Sequence, residues 1–379
     1  MQDVVENLSR LIRDAASRRR PLCIRGGGTK DFYGGEIRGD VLDTKPLRGI
    51  VSYEPTELVI SARAGTPLVE IEAALQEKGQ VLPFEPPHFD RPPQPEAPQP
   101  PAEGQLSIAP VPTEEKLATL GGCVATGLSG PRRAYAGAVR DFVLGARILD
   151  GKGAELHFGG QVMKNVAGYD VSRLTVGALG TLGVILEVSL KVLPAPAAEA
   201  TLRLAAGPDE AITLMNDWGS KPLPVTATAY RAGSLSVRLS GAPSAVAAAA
   251  KKIGGETMDA THAAQFWSDI REQRAAFYAG NQALWRLSIK PTTPPLDLAG
   301  PQLIEWGGAL RWLRSDADAK VIREAAARAG GHATLFRAVD KTAGVFHPLS
   351  PGLAKIHRRL KEAFDPAGIL NPGRMYPDF

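Results

Sequence analysis

The chain has 379 residues, 44% of them apolar, a formal charge of +4 and two cysteines. That length accommodates two or three domains with cores of their own, and two cysteines build no disulfide framework. No apolar stretch is long enough to span a bilayer, and the modest charge, with no basic run interleaved with aromatics, argues against nucleic acid while leaving small anions as partners.

The first residues, Met1-Gln2-Asp3-Val4-Val5-Glu6, lack the basic-then-apolar layout of a secretory signal, so a cytoplasmic location is expected. Val4, Leu8, Leu11, Ile12 and Ala15 recur at helical spacing and predict an amphipathic helix over residues 2–19. The apolar run at 21–24 reads as a buried strand that enters Arg25-Gly26-Gly27-Gly28-Thr29-Lys30. Three successive glycines permit backbone angles closed to other residues. They also let main-chain N–H groups converge into a nest suited to a phosphate; the plain alternative is a flexible loop. Short strands are predicted at 41–43, 50–53 and 58–64. A helix follows, capped by Thr66, with Pro67 at its first position and Gly79 closing it.

Residues 90–115 are rich in proline and poor in apolar side chains, and read as an exposed polyproline-like or disordered insertion. Thr119-Leu120-Gly121-Gly122-Cys123-Val124-Ala125-Thr126-Gly127 is so poor in bulk that a ligand or a packed neighbour must approach its backbone closely. Residues 139–149 and 154–158 predict a hairpin across Asp150-Gly151-Lys152-Gly153. Asp170 is placed to cap a helix through Leu174, and a second glycine-rich segment at 177–183 feeds a strand over 184–193. Pro194-Ala195-Pro196-Ala197 reads as a linker. Beyond it, strands at 201–206, 225–231, 234–240, 284–290, 303–306, 309–314 and 333–337 alternate with helices at 208–218, 243–252 and 319–329. This order predicts an α+β domain with one antiparallel sheet and helices on one face. A last helix at 351–364 leads to Asn371-Pro372-Gly373-Arg374.

Two glycine loops and a small-residue run within one domain suit an extended anionic ligand such as a dinucleotide. Neither the Rossmann nor the Walker A spacing is present at the first loop, so the phosphate site belongs to another fold. RGGGTK, TLGG, RDFVLG, VMKNVAGYDVSRL, GTLGVI, WGGALRWL and FDPAGILNPGR together resemble the FAD-linked oxidases of the vanillyl-alcohol oxidase type. Within that superfamily they are most similar to the FAD-binding subunits of bacterial glycolate oxidase. The resemblance covers nearly the whole chain except the proline-rich insertion. It implies an α+β fold with a two-part PCMH-type FAD-binding domain over 1–195 and an α+β substrate or cap domain over 196–345. A C-terminal helix and tail over 346–379 would return to the FAD domain.

The resemblance also implies roles for residues. Arg25, Gly26, Gly27, Gly28, Thr29 and Lys30 would hold the FAD pyrophosphate. Thr119, Leu120, Gly121 and Gly122 would run beside the phosphates and flavin, with Gly127 and Gly137 nearby and Arg140 and Asp141 matching the segment that follows. Gly183, Val184 and Ile185 would lie along the adenine side, and Asn371 would return to the flavin domain. Family members that bind FAD covalently carry a His in the first loop; Thr29-Lys30 stands there, so non-covalent FAD is expected. Metal-dependent relatives carry a His-rich motif in the substrate domain, whereas the six histidines here are scattered, and no metal is expected.

The implied reaction moves a hydride from the alcohol carbon of glycolate to the flavin. A 2-hydroxy acid needs its carboxylate held, which the fork of an Arg does through two oxygens. Arg286, Arg311 and Arg337 lie in predicted strands of the second domain, where each points into a cleft or out to solvent. His332 is the candidate base; Tyr169 and Lys164 are further candidates for ligand contact, with packing and capping as the plain alternatives. No cysteine cluster here holds an iron–sulfur centre. The resemblance therefore implies an iron–sulfur partner subunit that passes electrons to a quinone, a second flavin subunit, and attachment to the inner membrane face through that complex. Two alternatives stand beside this reading: a flavin-carrying assembly or relay subunit without turnover, and an NADPH-linked nucleotide module of the same fold. The absence of a nicotinamide fingerprint in the C-terminal half speaks against the latter.

Overall fold

Leu8, Ile12 and Ala15 on the helix Gln2–Arg18 are buried against Leu22, Leu42 and Leu47, so the first helix packs on the parallel strand pair Leu22–Arg25 and Asp40–Asp43. The structure is a computed structural model that describes residues 2–90, 117–160 and 170–379. Residues 91–116, and with them nearly all of the proline-rich insertion, lie outside the described residues, as do Lys164 and Tyr169. Among the described residues, no helix is long and apolar enough to cross a membrane.

The N-terminal half is built on a five-stranded antiparallel sheet in the order Ile50–Glu54, Val59–Arg63, Val184–Lys191, Val143–Leu149, Glu155–Gly159. Alternation sorts its side chains between two cores. Ile60, Ala62, Ala146, Ile148, Val188 and Leu190 meet the helices Leu68–Gln76 and Leu120–Thr126 on one face, while Leu149, Val184 and Leu186 join the first helix on the other. With both faces covered, the central strand is nearly continuous in apolar residues.

The second sheet has eight strands, all paired antiparallel: Glu256–Met258, Ala198–Ala205, Ser234–Gly241, Val225–Arg231, Gln302–Glu305, Leu310–Arg314, Leu284–Ser288, His332–Arg337. It consists of two four-stranded halves joined through Val225–Arg231 and Gln302–Glu305, with the strand order of one half mirrored in the other. The helices Pro208–Gly219 and Pro243–Ile253 cover one face of the first half, and Ala319–Arg328 covers the same face of the second. The opposite face carries Leu284, Leu303, Leu310, Trp312 and Phe336 and packs against Tyr33, Leu128 and Leu179 of the N-terminal half.

The C-terminal tail adds itself to the first strand pair. Leu22 donates to the Ile369 carbonyl at 2.7 Å, and Asn371 N donates to the Leu22 carbonyl at 2.9 Å. Lys361, at the end of the helix Pro351–Phe364, is buried with Asp365 at 2.7 Å and donates to the carbonyls of Thr181 and Leu370.

Four local expectations are corrected. Thr66 does not cap the following helix: its hydroxyl bridges the backbone N–H and C=O of Gly49, leaving Pro67 as an N-cap without a side-chain bond. Residues 139–142 form the helical turn Val139–Phe142 instead of the start of a strand, because Asp141 accepts from the Ala138 N–H at 2.8 Å and closes the turn. Asp170 does accept from Arg173 N, but the result is the short 3-10 turn Ser172–Thr175. Helices are not confined to one face of the large sheet: Ala260–Arg271, absent from the sequence reading, lays Trp267 on Ala227 and Ala229.

Candidate functional site

Where the first glycine loop meets the N-terminus of Leu120–Thr126, only glycine fits. A Cβ on Gly27 would stand 1.6 Å from the Leu117 carbonyl oxygen, and one on Gly26 2.5 Å from Thr119 Oγ1. Gly121 is equally constrained, with Ala64 Cβ at 2.8 Å from the position its own Cβ would take. Among the described residues, the N–H groups of Gly26, Gly27, Gly28, Thr29 and Lys30 donate to no protein acceptor. Successive open amides at one point make an anion nest, since their partial positive charges add there. They open on a cleft lined by the whole loop and by Thr119, Gly121, Gly122, Gly180, Gly183, Ile185 and Asn371.

Three side chains hold the loop in shape. Arg25 pairs with Asp31 at 2.6 Å, its guanidinium lying across Gly28, which adopts φ +72°. Asn371 accepts from Ile24 N at 2.7 Å and donates to the Leu179 carbonyl at 2.6 Å, tying the tail to both glycine segments. Arg374 donates to the carbonyls of Asp31, Tyr33 and Gly35. Lys30 is buried beside the cleft and donates to the His88 carbonyl and Thr29 Oγ1, both at 3.3 Å, with its ammonium 5.6 Å from the Phe89 ring centre. Among the described residues no carboxylate pairs with it, and burial brings its pKa down to about 8.

A second, smaller cavity lies where the large sheet faces residues 87–89 and 128–131. Its walls are mostly apolar, including Phe89, Trp306, Trp312 and Phe336, and Arg286, Glu305 and Gln273 are among the polar residues that line it. Arg286 carries a guanidinium with no ion pair among the described residues, 5.2 Å from the Trp306 ring centre. Burial lowers its pKa, opposed by Tyr33 and Glu305, and a guanidinium remains charged through such a shift. Glu305 is 3% exposed and accepts from Trp312 Nε1 at 2.7 Å and Tyr278 OH at 3.5 Å, both on Oε1. Burial pushes its carboxyl up to about 7, against those hydrogen bonds and Arg286. Gln273, held at φ +54°, presents a buried Oε1 with no partner among the described residues. Orphaned polar atoms in an apolar chamber are costly unless something fills them.

Residues 3–91 match the FAD binding domain family, and residues 339–375 match the C-terminal domain of FAD linked oxidases. Glycolate oxidase subunit GlcE of Escherichia coli (strain K12) is 47% identical over 376 residues, covering 99% of this chain and 98% of that protein. The chain belongs to the GlcE family of FAD-linked oxidases. As a member of that family it is a flavoprotein oxidoreductase with FAD as cofactor. Glycolate oxidase subunit GlcD of Bacillus subtilis (strain 168) is a more distant relative, 28% identical over 200 residues, which span 52% of this chain and 37% of that one. Among solved structures, an alkyldihydroxyacetonephosphate synthase superposes with a TM-score of 0.62 at 17% identity, covering 97% of this chain and 75% of the synthase, a likeness of fold.

For this GlcE-family chain the structure brings together Arg25 to Lys30, Thr119, Gly121, Gly122, Gly183, Ile185 and Asn371 around one cleft. Other positions named from the sequence fall elsewhere. Leu120 and Val184 point into the two cores, as alternation and helix phase require. Gly127 and Gly137, at φ +63° and +110°, end short helices. Asp141 is occupied in its turn, and Arg140 is exposed.

Of the substrate candidates, only Arg286 enters the second cavity. Arg311 sits in the strand Leu310–Arg314 between Leu310 and Trp312, which both face the interface, so its own side chain takes the helix-covered face. There it is fully buried and donates to the Gly308 and Thr293 carbonyls at 2.8 and 2.7 Å, bracing a loop. Arg337 is caged by Phe32, Phe89 and Phe336, with its guanidinium carbon 4.2 Å from the Phe32 ring centre. His332 begins the edge strand, paired with Ser288, and is exposed outside the cavity. Sequence reasoning missed Glu305, Gln273 and Arg133, whose guanidinium carbon lies 4.5 Å from the Trp306 ring centre. The one signal for Glu305 was its place beside the WGGALRWL motif.

Proposed function

We propose that this chain is the FAD-carrying subunit of a glycolate-oxidising complex, and that it oxidises glycolate to glyoxylate with Arg286 gripping the carboxylate. The observation that carries this reading is the second cavity. A guanidinium with no ion pair and an amide oxygen with no partner among the described residues line it between apolar walls, a setting that accepts a small, anionic, hydroxyl-bearing molecule. The open amides of residues 26–30 suit a pyrophosphate and hold it by main-chain N–H groups, so the cofactor needs no covalent link there. When bound, FAD supplies the two-electron acceptor for the hydride of the alcohol carbon. The chain's own residues hold and orient the substrate, and the apolar rings exclude water from it. We assign residues 1–195 and the tail 346–379 to the cofactor and 196–345 to the substrate.

The relatives named as glycolate oxidase subunits support a multi-subunit assembly. We propose that electrons leave this flavin for an iron–sulfur partner and then a quinone, beside a second flavin subunit. Addition of glycolate without oxygen to the assembled, FAD-loaded protein is expected to bleach this subunit's flavin. A flavin that stays yellow until the partner subunit turns over would assign this chain to relay instead.

Lys30 provides a test of the cofactor side. Its ammonium favours a diphosphate only while protonated, and the free protein loses that proton above about pH 8. FAD binding must then take up a proton, so the Kd is expected to rise by up to tenfold per pH unit above 8. Lys30→Met is expected to weaken binding roughly tenfold at pH 7, the scale of one charge-assisted hydrogen bond, and to flatten the pH dependence. Flavin fluorescence quenching across pH 6.5–9.5 checks both.

A further inference from the structure

We propose that Glu305 is the group that takes the hydroxyl proton of the substrate, a role that rests on the glycolate reading above. The two oxygens of its carboxylate have different surroundings. Oε1 receives both protein donors, Trp312 Nε1 and Tyr278 OH, and these fix the plane of the carboxylate. Oε2 accepts from none of the described residues, and Glu305 lines the same cavity as Arg286. The strand register places them together: Glu305 pairs with Leu310, and Arg286 pairs with Trp312 two residues along the same strand. No ion pair joins them, which leaves a gap between an anion-gripping group and a proton-accepting one. A 2-hydroxy acid carries a partner for each group, a carboxylate for Arg286 and, one bond away, a carbinol whose proton Oε2 would take.

In the step, the O–H bond breaks and its proton passes to Oε2. The freed electron pair would become the second carbon–oxygen bond of glyoxylate, with bound FAD supplying the two-electron acceptor for the hydride of the same carbon. Electrons and protons balance with no further reactant. A carboxylate does this only if its proton affinity approaches the working pH, and burial gives Glu305 that affinity. The groups facing it are Arg286 from the same half of the sheet, Tyr278 and Trp312 through hydrogen bonds, Glu85 from the loop before residue 90, and Arg271 and Gln273 across the cavity. Arg286 opposes the upward shift, and Glu85 adds to it. His332, exposed at the sheet edge, is displaced from this role.

The test is Glu305→Gln in the FAD-loaded full chain within its complex. Wild-type flavin reduction by glycolate is expected to rise with pH up to about 7 and then level. The variant is expected to be slower by about 100-fold or more, the usual worth of a general base, and to lose that pH limb. Oxalate, which has the carboxylate but no transferable hydrogen, is expected to bind both proteins within threefold of each other. A readout without substrate accompanies these. The native carboxyl holds its proton more tightly than the unfolded one, so wild-type stability falls as pH rises from about 4.5 to 7. The variant's advantage in Tm is therefore expected at pH 8 and to vanish toward pH 5. A variant that reduces flavin at the wild-type rate with the wild-type pH profile overturns the assignment. A wild-type protein that neither binds oxalate nor bleaches with glycolate overturns the glycolate reading itself, and the role of Glu305 with it.

Discussion

Gly27→Ala is expected to yield a folded but nearly colourless protein. The added methyl would fall 1.6 Å from the Leu117 carbonyl oxygen and 2.7 Å from its carbon, so the backbone itself must give way. The segments that would separate are the open-amide loop and the entry to Leu120–Thr126, which together form the walls of the cleft. Overpacking of this kind costs about 1–3 kcal/mol where side chains can yield. With backbone as the obstacle, the upper end applies, and FAD affinity is expected to fall by roughly 100-fold, since about 1.4 kcal/mol is tenfold. The ratio of flavin to protein absorbance after gel filtration checks it. Gly219→Ala is the matched control: nothing stands within 4 Å of its added Cβ, it ends the helix Pro208–Gly219, and flavin content is expected to be unchanged.

Arg286→Met is expected to keep its FAD and lose its substrate. Among the described residues the guanidinium has no ion pair to release, so its removal strands no carboxylate among them, and methionine fits beside Trp306 and Phe336. Truncating a buried charge that pairs with a ligand costs about 2–5 kcal/mol. On that scale kcat/KM for glycolate is expected to fall by 100-fold or more, and oxalate affinity by a similar factor. Arg286→Lys is expected to recover only part of the loss, because an ammonium cannot meet two carboxylate oxygens in one plane. Anaerobic titration of the flavin spectrum with oxalate separates this loss from a slower chemical step. By the same logic, Arg311→Met is expected to lower stability and to leave oxalate affinity unchanged once the protein is folded. Its hydrogen bonds run to backbone carbonyls on the far face of the sheet.

Arg286 and Arg311 show where reading a chain stops. Both lie in strands of one sheet, and both were equal candidates from pattern alone. Their faces are decided by neighbours: Arg286 follows Leu284 on the interface side, while Arg311 falls between two interface residues and must point away. A register bulge at Leu284/Trp285 then turns Arg337 into the aromatic cage instead of behind the sheet. Glu305 and Gln273 carry no local mark, since a glutamate near a strand end and a glutamine after a helix are ordinary surface residues. They become chemical groups only when two distant segments enclose them.

Local chain chemistry determined the glycine cradle, the helix at residues 2–18, the antiparallel character of the second sheet and the family, because each follows from backbone freedom, from periodicity or from contiguous motifs. Tertiary structure alone decided which charged side chains share a cavity and which merely brace a loop. The reason is that a strand residue's surroundings are set by register and by whatever packs on its face, and both are fixed by partners far away in the chain.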